Sequence, residues 1–222
     1  MKPETKTRIA EEAAAAEFFK SLPNNIHGFA LKKIFADELD RFNYFSYENA
    51  HRSLTAYFHE ETAEYKVRVA IGLTEFCLTE FFTGSFERFT KILSAKLDAA
   101  IENLTAPVTD SLLAEKKFDA WEYAKTLPKN IEGFELFVAP DNPAKITNGS
   151  YILLNYSDFA TASDFTIFYN VYTENFTGES KVRLVPHVSY LFDAVTLKEL
   201  EAALEKNLAA EIHSIKNLTT AD

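Results

Sequence analysis

The chain has 222 residues, 47% hydrophobic and 25% charged, a mixture that supports a packed core and excludes a disordered chain. Lys and Arg total 23 against 33 Asp and Glu, a formal charge of −10 that repels phosphate backbones and anionic lipid, so neither nucleic acid nor a membrane surface is expected as a partner. Cys77 is the only cysteine, which excludes an intrachain disulfide and a cysteine zinc site within one chain.

The first nineteen residues, MKPETKTRIAEEAAAAEFF, carry acids where a signal peptide needs an unbroken apolar stretch. No run approaches the roughly eighteen apolar residues of a membrane span, so the sequence reads as cytoplasmic. Ile9 to Ser21 is Ala-rich and predicts a helix that stops where Pro23 disfavours helical geometry at Leu22.

Leu22-Pro23-Asn24-Asn25-Ile26-His27-Gly28-Phe29 follows, and Leu127-Pro128-Lys129-Asn130-Ile131-Glu132-Gly133-Phe134 repeats six of its eight positions at an offset of 105. A second echo sets Glu64, Lys66 and Arg68 against Glu179, Lys181 and Arg183 at an offset of 115. The difference of ten is assigned to a loop from Val138 to Gly149 that contains Pro140 and Pro143. The chain is therefore expected to be a tandem duplication, with a first unit over residues 1–106 and a second over 107–222.

Between the helical segments the apolar pattern changes to period two. Phe29–Phe35, Arg41–Tyr47, Ser53–His59, Glu64–Ile71 and Leu73–Phe82 are the strand candidates of the first copy. Phe134–Val138, Tyr151–Tyr156, Phe165–Tyr172, Ser180–Val185 and His187–Phe192 are those of the second. The first copy's last run is the longer of the two final runs. Twenty Phe and ten Tyr favour such pleated, half-buried surfaces.

Each copy closes on a helix. Ser85 and Thr196 stand at matching caps, and Thr196 with Glu199 has capping-box spacing. Phe86, Phe89, Leu93, Leu97 and Ile101, and then Leu197, Leu200, Leu204, Leu208 and Ile212, repeat at three and four residues. The second copy should open on a helix capped near Thr109 to Ser111, with Leu113, Trp121, Ala124 and Leu127 on one face. The expected class is α+β: a helix, an antiparallel sheet of four to five strands and a helix, the two copies related by a pseudo-two-fold. In outline this is similar to the saddle of TATA-binding proteins, a likeness of architecture without a shared motif, and the acidic charge argues against carrying over DNA binding.

Catalytic signatures are missing from the sequence. His59-Glu60-Glu61-Thr62-Ala63 lacks the second histidine of a zinc-protease helix, and neither a phosphate loop nor a nucleophile elbow occurs. No cofactor is implied. Cys77 reads as a small buried hydrophobe, His27 as a solvated turn residue, and His187, after Pro186, as part of a kinked strand.

Two polar readings stand out. On strands, Glu64/Lys66/Arg68 and Glu179/Lys181/Arg183 would each put three charges on one face. Brought together about the pseudo-dyad, Lys66, Arg68, Lys181 and Arg183 would form an anion or acidic-peptide site; if they are not, they are ion pairs on a solvated face. The aromatics Phe42, Tyr44, Phe45 and Tyr47, and Phe165, Phe168, Tyr169 and Tyr172, alternate to both faces, so the face away from the helices needs a cover: the other copy, a second chain or a ligand. The leading expectation is a non-catalytic protein-binding module, with a protein partner or homodimer. The alternative is a small-molecule binder or enzyme whose site lies between the copies, where His187, Tyr172 and Arg183 would converge.

Overall fold

Two runs of five β-type segments, each joined by short turns, favour pairing between sequence neighbours, and in the computed structural model they pair in that way within each run. The structure describes residues 1–105, 118, 120–147 and 149–220, which fall into two compact units, Met1–Ala106 and Pro107–Asp222. The class is α+β, with one antiparallel sheet in each unit.

The first unit opens on α1 (Pro3–Ala15), whose proline sits in the first turn where its missing N–H costs nothing, and on the short α2 (Glu17–Lys20). Ala16 between them is extended, so the single helix expected over Ile9 to Ser21 is two. Strands β1 (Asn25–Ile26), β2 (Phe29–Glu38), β3 (Arg41–Asn49), β4 (Arg52–His59), β5 (Glu64–Ile71) and β6 (Thr74–Cys77) pair in chain order. The 3-10 turn Thr79–Phe81 then leads to α3 (Phe86–Glu102), where Ser85 accepts the Arg88 N–H.

The second unit follows the same path with β7 (Asn130–Ile131), β8 (Phe134–Val138), β10 (Ser150–Asp158), β11 (Ser163–Asn170), β12 (Asn175–Val182) and β13 (Val185–Ala194). The two-residue β9 (Ala144–Lys145) lies within the Pro-containing loop and pairs with β10. The sheets thus have six and seven strands rather than four or five, the additions being short pieces that leave no period-two signature. α4 (Leu197–Thr220) closes the unit through a capping box: Thr196 Oγ1 accepts from Glu199 N, and the Glu199 carboxylate accepts from Thr196 N and Val195 N, which holds that carboxyl below its ordinary range. The opening helix expected from Thr109 through Leu113 lies outside the described residues; the described stretch Glu122–Thr126 is a 3-10 turn.

A β-bulge in the first unit corrects its aromatic reading, whereas in the second unit the named aromatics do alternate, Phe165 and Tyr169 buried, Phe168 half-buried and Tyr172 exposed. The β3–β4 register shifts between Asn43 and Phe45, which inserts Tyr44 as an extra residue. Phe42, Tyr44, Phe45 and Tyr47 are then all buried, and Phe19 of α2 packs on both Tyr44 and Phe45. The β10–β11 register shifts between Ile152 and Leu154, and Tyr151, Leu153, Leu154 and Tyr156 join one core with Leu200, Leu204, Leu208 and Ile212 of α4. Strict alternation would have sent half of each set to the opposite face.

The hairpin ends correct the second echo. Glu64 and Asn175 open β5 and β12, 111 residues apart, and Ala63 and Glu174 before them share a left-handed φ of 51° and 54°. By this register Glu179 lies where Arg68 does, and Arg183, with φ 50°, where Gly72 does, with φ 62°. The offset of 115 matched charges that occupy different places. The strand placed over Ser180 to Val185 is instead the end of β12 and a turn.

Candidate functional site

Of the six residues singled out in the sequence, Lys66 and Arg68 lie in the first unit, on the β5 face away from α3. Lys66 is nearly buried, its Nζ 3.0 Å from Glu64 and over the Phe82 ring, while Arg68 lies 3.2 Å from Glu75. Lys66 and the Thr62 hydroxyl hold the Glu64 carboxyl below its usual range. Beside them the Tyr57 hydroxyl lies 3.3 Å from Cys77 Sγ, and burial and that thiol push the phenol up. Cys77 is half-buried.

In the second unit Lys181 lies between two carboxylates, 3.9 Å from buried Asp164 and 3.8 Å from Glu179. Arg183 is in the β12–β13 turn, where its guanidinium donates to the Thr219 carbonyl at the end of α4 (3.0 Å). A cation there satisfies the negative end of the helix. Each of the four cations therefore has an internal partner, and an arriving anion would compete with a carboxylate or a helix terminus. Tyr172 lies in the β11–β12 turn, at the other end of β12 from Arg183, which the rise of about 3.3 Å per residue makes a separation of roughly 25 Å. His187 is mid-strand on β13, opposite Ser180. Within this unit Tyr172 and Arg183 form no single cluster.

The sequence did not single out the β13 edge as a whole. Of the ten large apolar side chains exposed among the described residues, six fall between Leu184 and Val195: Leu184, Val185, Val188, Tyr190, Leu191 and Val195. Among the described residues β13 is an edge strand with only β12 beside it. Arg183 and Leu184 both have positive φ, as in the two-residue turn that suits a tight hairpin, so Val182 and Val185 form a hydrogen-bonded pair. Alternation along the strand then turns the main chain of Pro186 and Val188 outward. Pro186 has no N–H to offer, which blunts that point of the edge, while Val188 presents both N–H and C=O.

Beyond Ser189 the strand bulges. The register jumps from Gly178/Ser189 to Phe176/Ala194, so Phe192 turns into the core against Phe165 and Tyr190 and Leu191 are left outside. Gly178 makes this possible, because a Cβ there would stand 2.9 Å from the Ser189 carbonyl and 3.0 Å from Phe192 Cβ. A cleft of about 240 Å³ adjoins the end of the patch, lined by Phe118, Phe176 and Val195 among others. The first unit treats its corresponding edge differently. β6 has only four residues, and Thr83 then pairs with Tyr65 to cover the end of β5. The longer last strand is thus in the second unit, the reverse of the sequence expectation.

Two further groupings lie in the first unit. Asp40, His59 and Glu61 form the one metal-sized cluster among the described residues, Asp40 entering from the β2–β3 turn. His59 is already engaged at both nitrogens, Nε2 2.8 Å from Asp40 and Nδ1 3.0 Å from Thr62 Oγ1. A cleft of about 410 Å³ lies between the Leu–Pro turn and α3, lined by Phe18, Leu22, Ile26, His27, Leu97 and Asp98 among others, with His27 Nε2 3.2 Å from Asp98. In the second unit the residue at the His27 position, Glu132, lies 3.0 Å from His213 of α4, so the two turns carry a carboxylate–imidazole pair with the partners exchanged.

No helix among the described residues is long and apolar enough to cross a membrane. No protein family, curated protein or solved structure matches the chain.

Proposed function

We propose that the chain is a non-catalytic protein-binding module, built by tandem duplication of one α+β unit, whose docking surface is the β13 edge of the second unit. The concentration of exposed apolar side chains between Leu184 and Val195 carries this reading, because scattered surface hydrophobics are ordinary whereas a contiguous set marks an interaction site. Tyr190 and Leu191 supply anchors, the outward Val188 amide and carbonyl supply a short strand-addition contact, and the cleft at Val195 can receive a partner side chain. The duplication is supported by the bulge, the Leu–Pro turn and the left-handed turn residues that recur in both units. It also makes sense of the asymmetry, since one copy caps its edge and preserves the frame while the other, among the described residues, leaves its edge strand unpaired on one side. A cytoplasmic location fits this reading and the single cysteine.

The test is a pair of substitutions at exposed positions, Val188→Lys and Tyr190→Ser, in a pull-down from native lysate with fold checked by circular dichroism. The unmodified chain is expected to retain a stoichiometric protein that the folded double variant loses. Equal retention by both rejects β13 as the docking surface.

A further inference from the structure

We propose that Asp164 is a proton-binding site that decides which carboxylate Lys181 serves, and thereby sets the charge beside the β13 edge. Asp164 sits in β11 at 1% exposure. Its Oδ2 accepts from Asn155 Nδ2 at 3.3 Å, whereas Oδ1 is buried and has no hydrogen-bond partner among the described residues. Asn155 cannot turn to supply one. Its Nδ2 also donates to Thr166 Oγ1 at 2.8 Å, and its Oδ1 accepts from Ser157 Oγ at 2.7 Å, so both ends of the amide are held. An ionised Asp164 therefore keeps one desolvated oxygen without a donor, and a proton lowers that cost by cancelling the buried charge.

Among the described residues the charged groups that face this carboxyl both come from β12, Lys181 and Glu179, and β10 contributes the neutral Asn155 and Ser157. Asp158, at the end of β10, is paired instead with Lys216 of α4 at 3.5 Å. Burial raises the Asp164 carboxyl to about 6 against the opposing pull of Lys181 and Asn155. Above that pH, Lys181 faces two carboxylates, Asp164 and Glu179; below it, Glu179 is the one of the two that still pairs with it. The trio changes from one net negative charge to none. Glu179 lies opposite Val188 and Lys181 opposite Pro186, so the change falls beside the outward main chain of β13. This last consequence rests on the docking reading, whereas the titration of Asp164 does not.

Carbon-detected NMR of the labelled full chain tests it, with the Asp164 carboxyl assigned by its absence in Asp164→Asn. The expected result is a midpoint near 6, with the Lys181 side-chain carbons shifting at the same midpoint. Glu179→Gln, a partly exposed change that preserves the fold, should move the midpoint down because a neighbouring negative charge is gone. A midpoint in the ordinary carboxylate range near 4, or Lys181 signals that do not follow Asp164, overturns the proposal. If the β13 variants bind as the unmodified chain does while Asp164 still titrates near 6 with Lys181, the docking reading alone has failed.

Discussion

Tyr156 donates its hydroxyl hydrogen to the Pro128 carbonyl at 2.6 Å, and Tyr47 does the same to Pro23 at 2.7 Å. In each unit a tyrosine just past the bulge ties the bulged strand, β3 or β10, to the Leu–Pro turn. Both phenols are nearly buried, so removing the hydroxyl leaves the proline carbonyl short of its donor. Tyr47→Phe and Tyr156→Phe are each expected to cost about 1–2 kcal/mol. Because they lie in separate units, their effects should add to within about 0.5 kcal/mol. Urea unfolding of the two single variants and the double variant measures this, and a pair of unaffected midpoints would show the ties to be idle.

Alkaline pH should probe the first of these ties. Burial pushes the Tyr47 phenol up to about 12 from an ordinary value of 10.0. A raised folded value means the folded state holds the proton more tightly, so this contribution is complete below pH 10 and lost as pH rises from 10 to 12. Tyr65, also raised to about 12 by burial and by its hydrogen bond to Glu12, contributes in the same window and the same direction. Melting temperature followed by circular dichroism should fall between pH 10 and 12, and less steeply in Tyr47→Phe. An equally steep fall in the variant would remove Tyr47 as a cause.

Gly178→Ala tests the bulge that exposes Tyr190 and Leu191. The added methyl meets a backbone carbonyl and the Phe192 Cβ, neither of which is the free end of a flexible side chain. The expected cost is about 1–3 kcal/mol. Faster amide exchange should be confined to β13 and its neighbour. Unchanged stability would mean that the bulge shifts at no cost.

The elements that were legible in the sequence are those fixed by local chemistry. The closing helices declare themselves through Ser85, the Thr196/Glu199 box and apolar residues at three and four. The Leu–Pro turns do so through Asn25 and Asn130, whose side chains accept from Gly28 N and Gly133 N in identical 3.0 Å contacts. The later register was not legible because, the Gly72 turn apart, the later hairpins turn on Ala50, Ala63, Ala162, Glu174, Arg183 and Leu184, with left-handed backbones that these residue types do not advertise. With the turns silent, the Glu-x-Lys-x-Arg pattern looked like a repeat and was aligned four residues out.

The candidate site was hidden for related reasons. Arg183 looked like the end of a charged strand and is a helix cap. Lys181 was singled out, but Asp164, one acid among 33, acquires its character only from the neighbours that pairing brings to it. The edge of β13 reads in sequence as an ordinary buried strand, since Val185, Val188, Tyr190 and Leu191 would suit a central one equally well. Only the strand order reveals that β13 ends the sheet among the described residues.

The chain-order pairing of the strands also has a consequence for synthesis. Each strand of the first sheet pairs with the one made just before it, so the six can assemble as they leave the ribosome, without waiting for distant partners. The apolar face of that sheet, however, is covered in part by Phe19 of α2 and in part by α3, the last element of the unit to be made. A released chain ending at Cys77 would carry all six strands with Tyr44 and Tyr65 not yet packed against Phe89, an apolar surface of the kind that a chaperone captures.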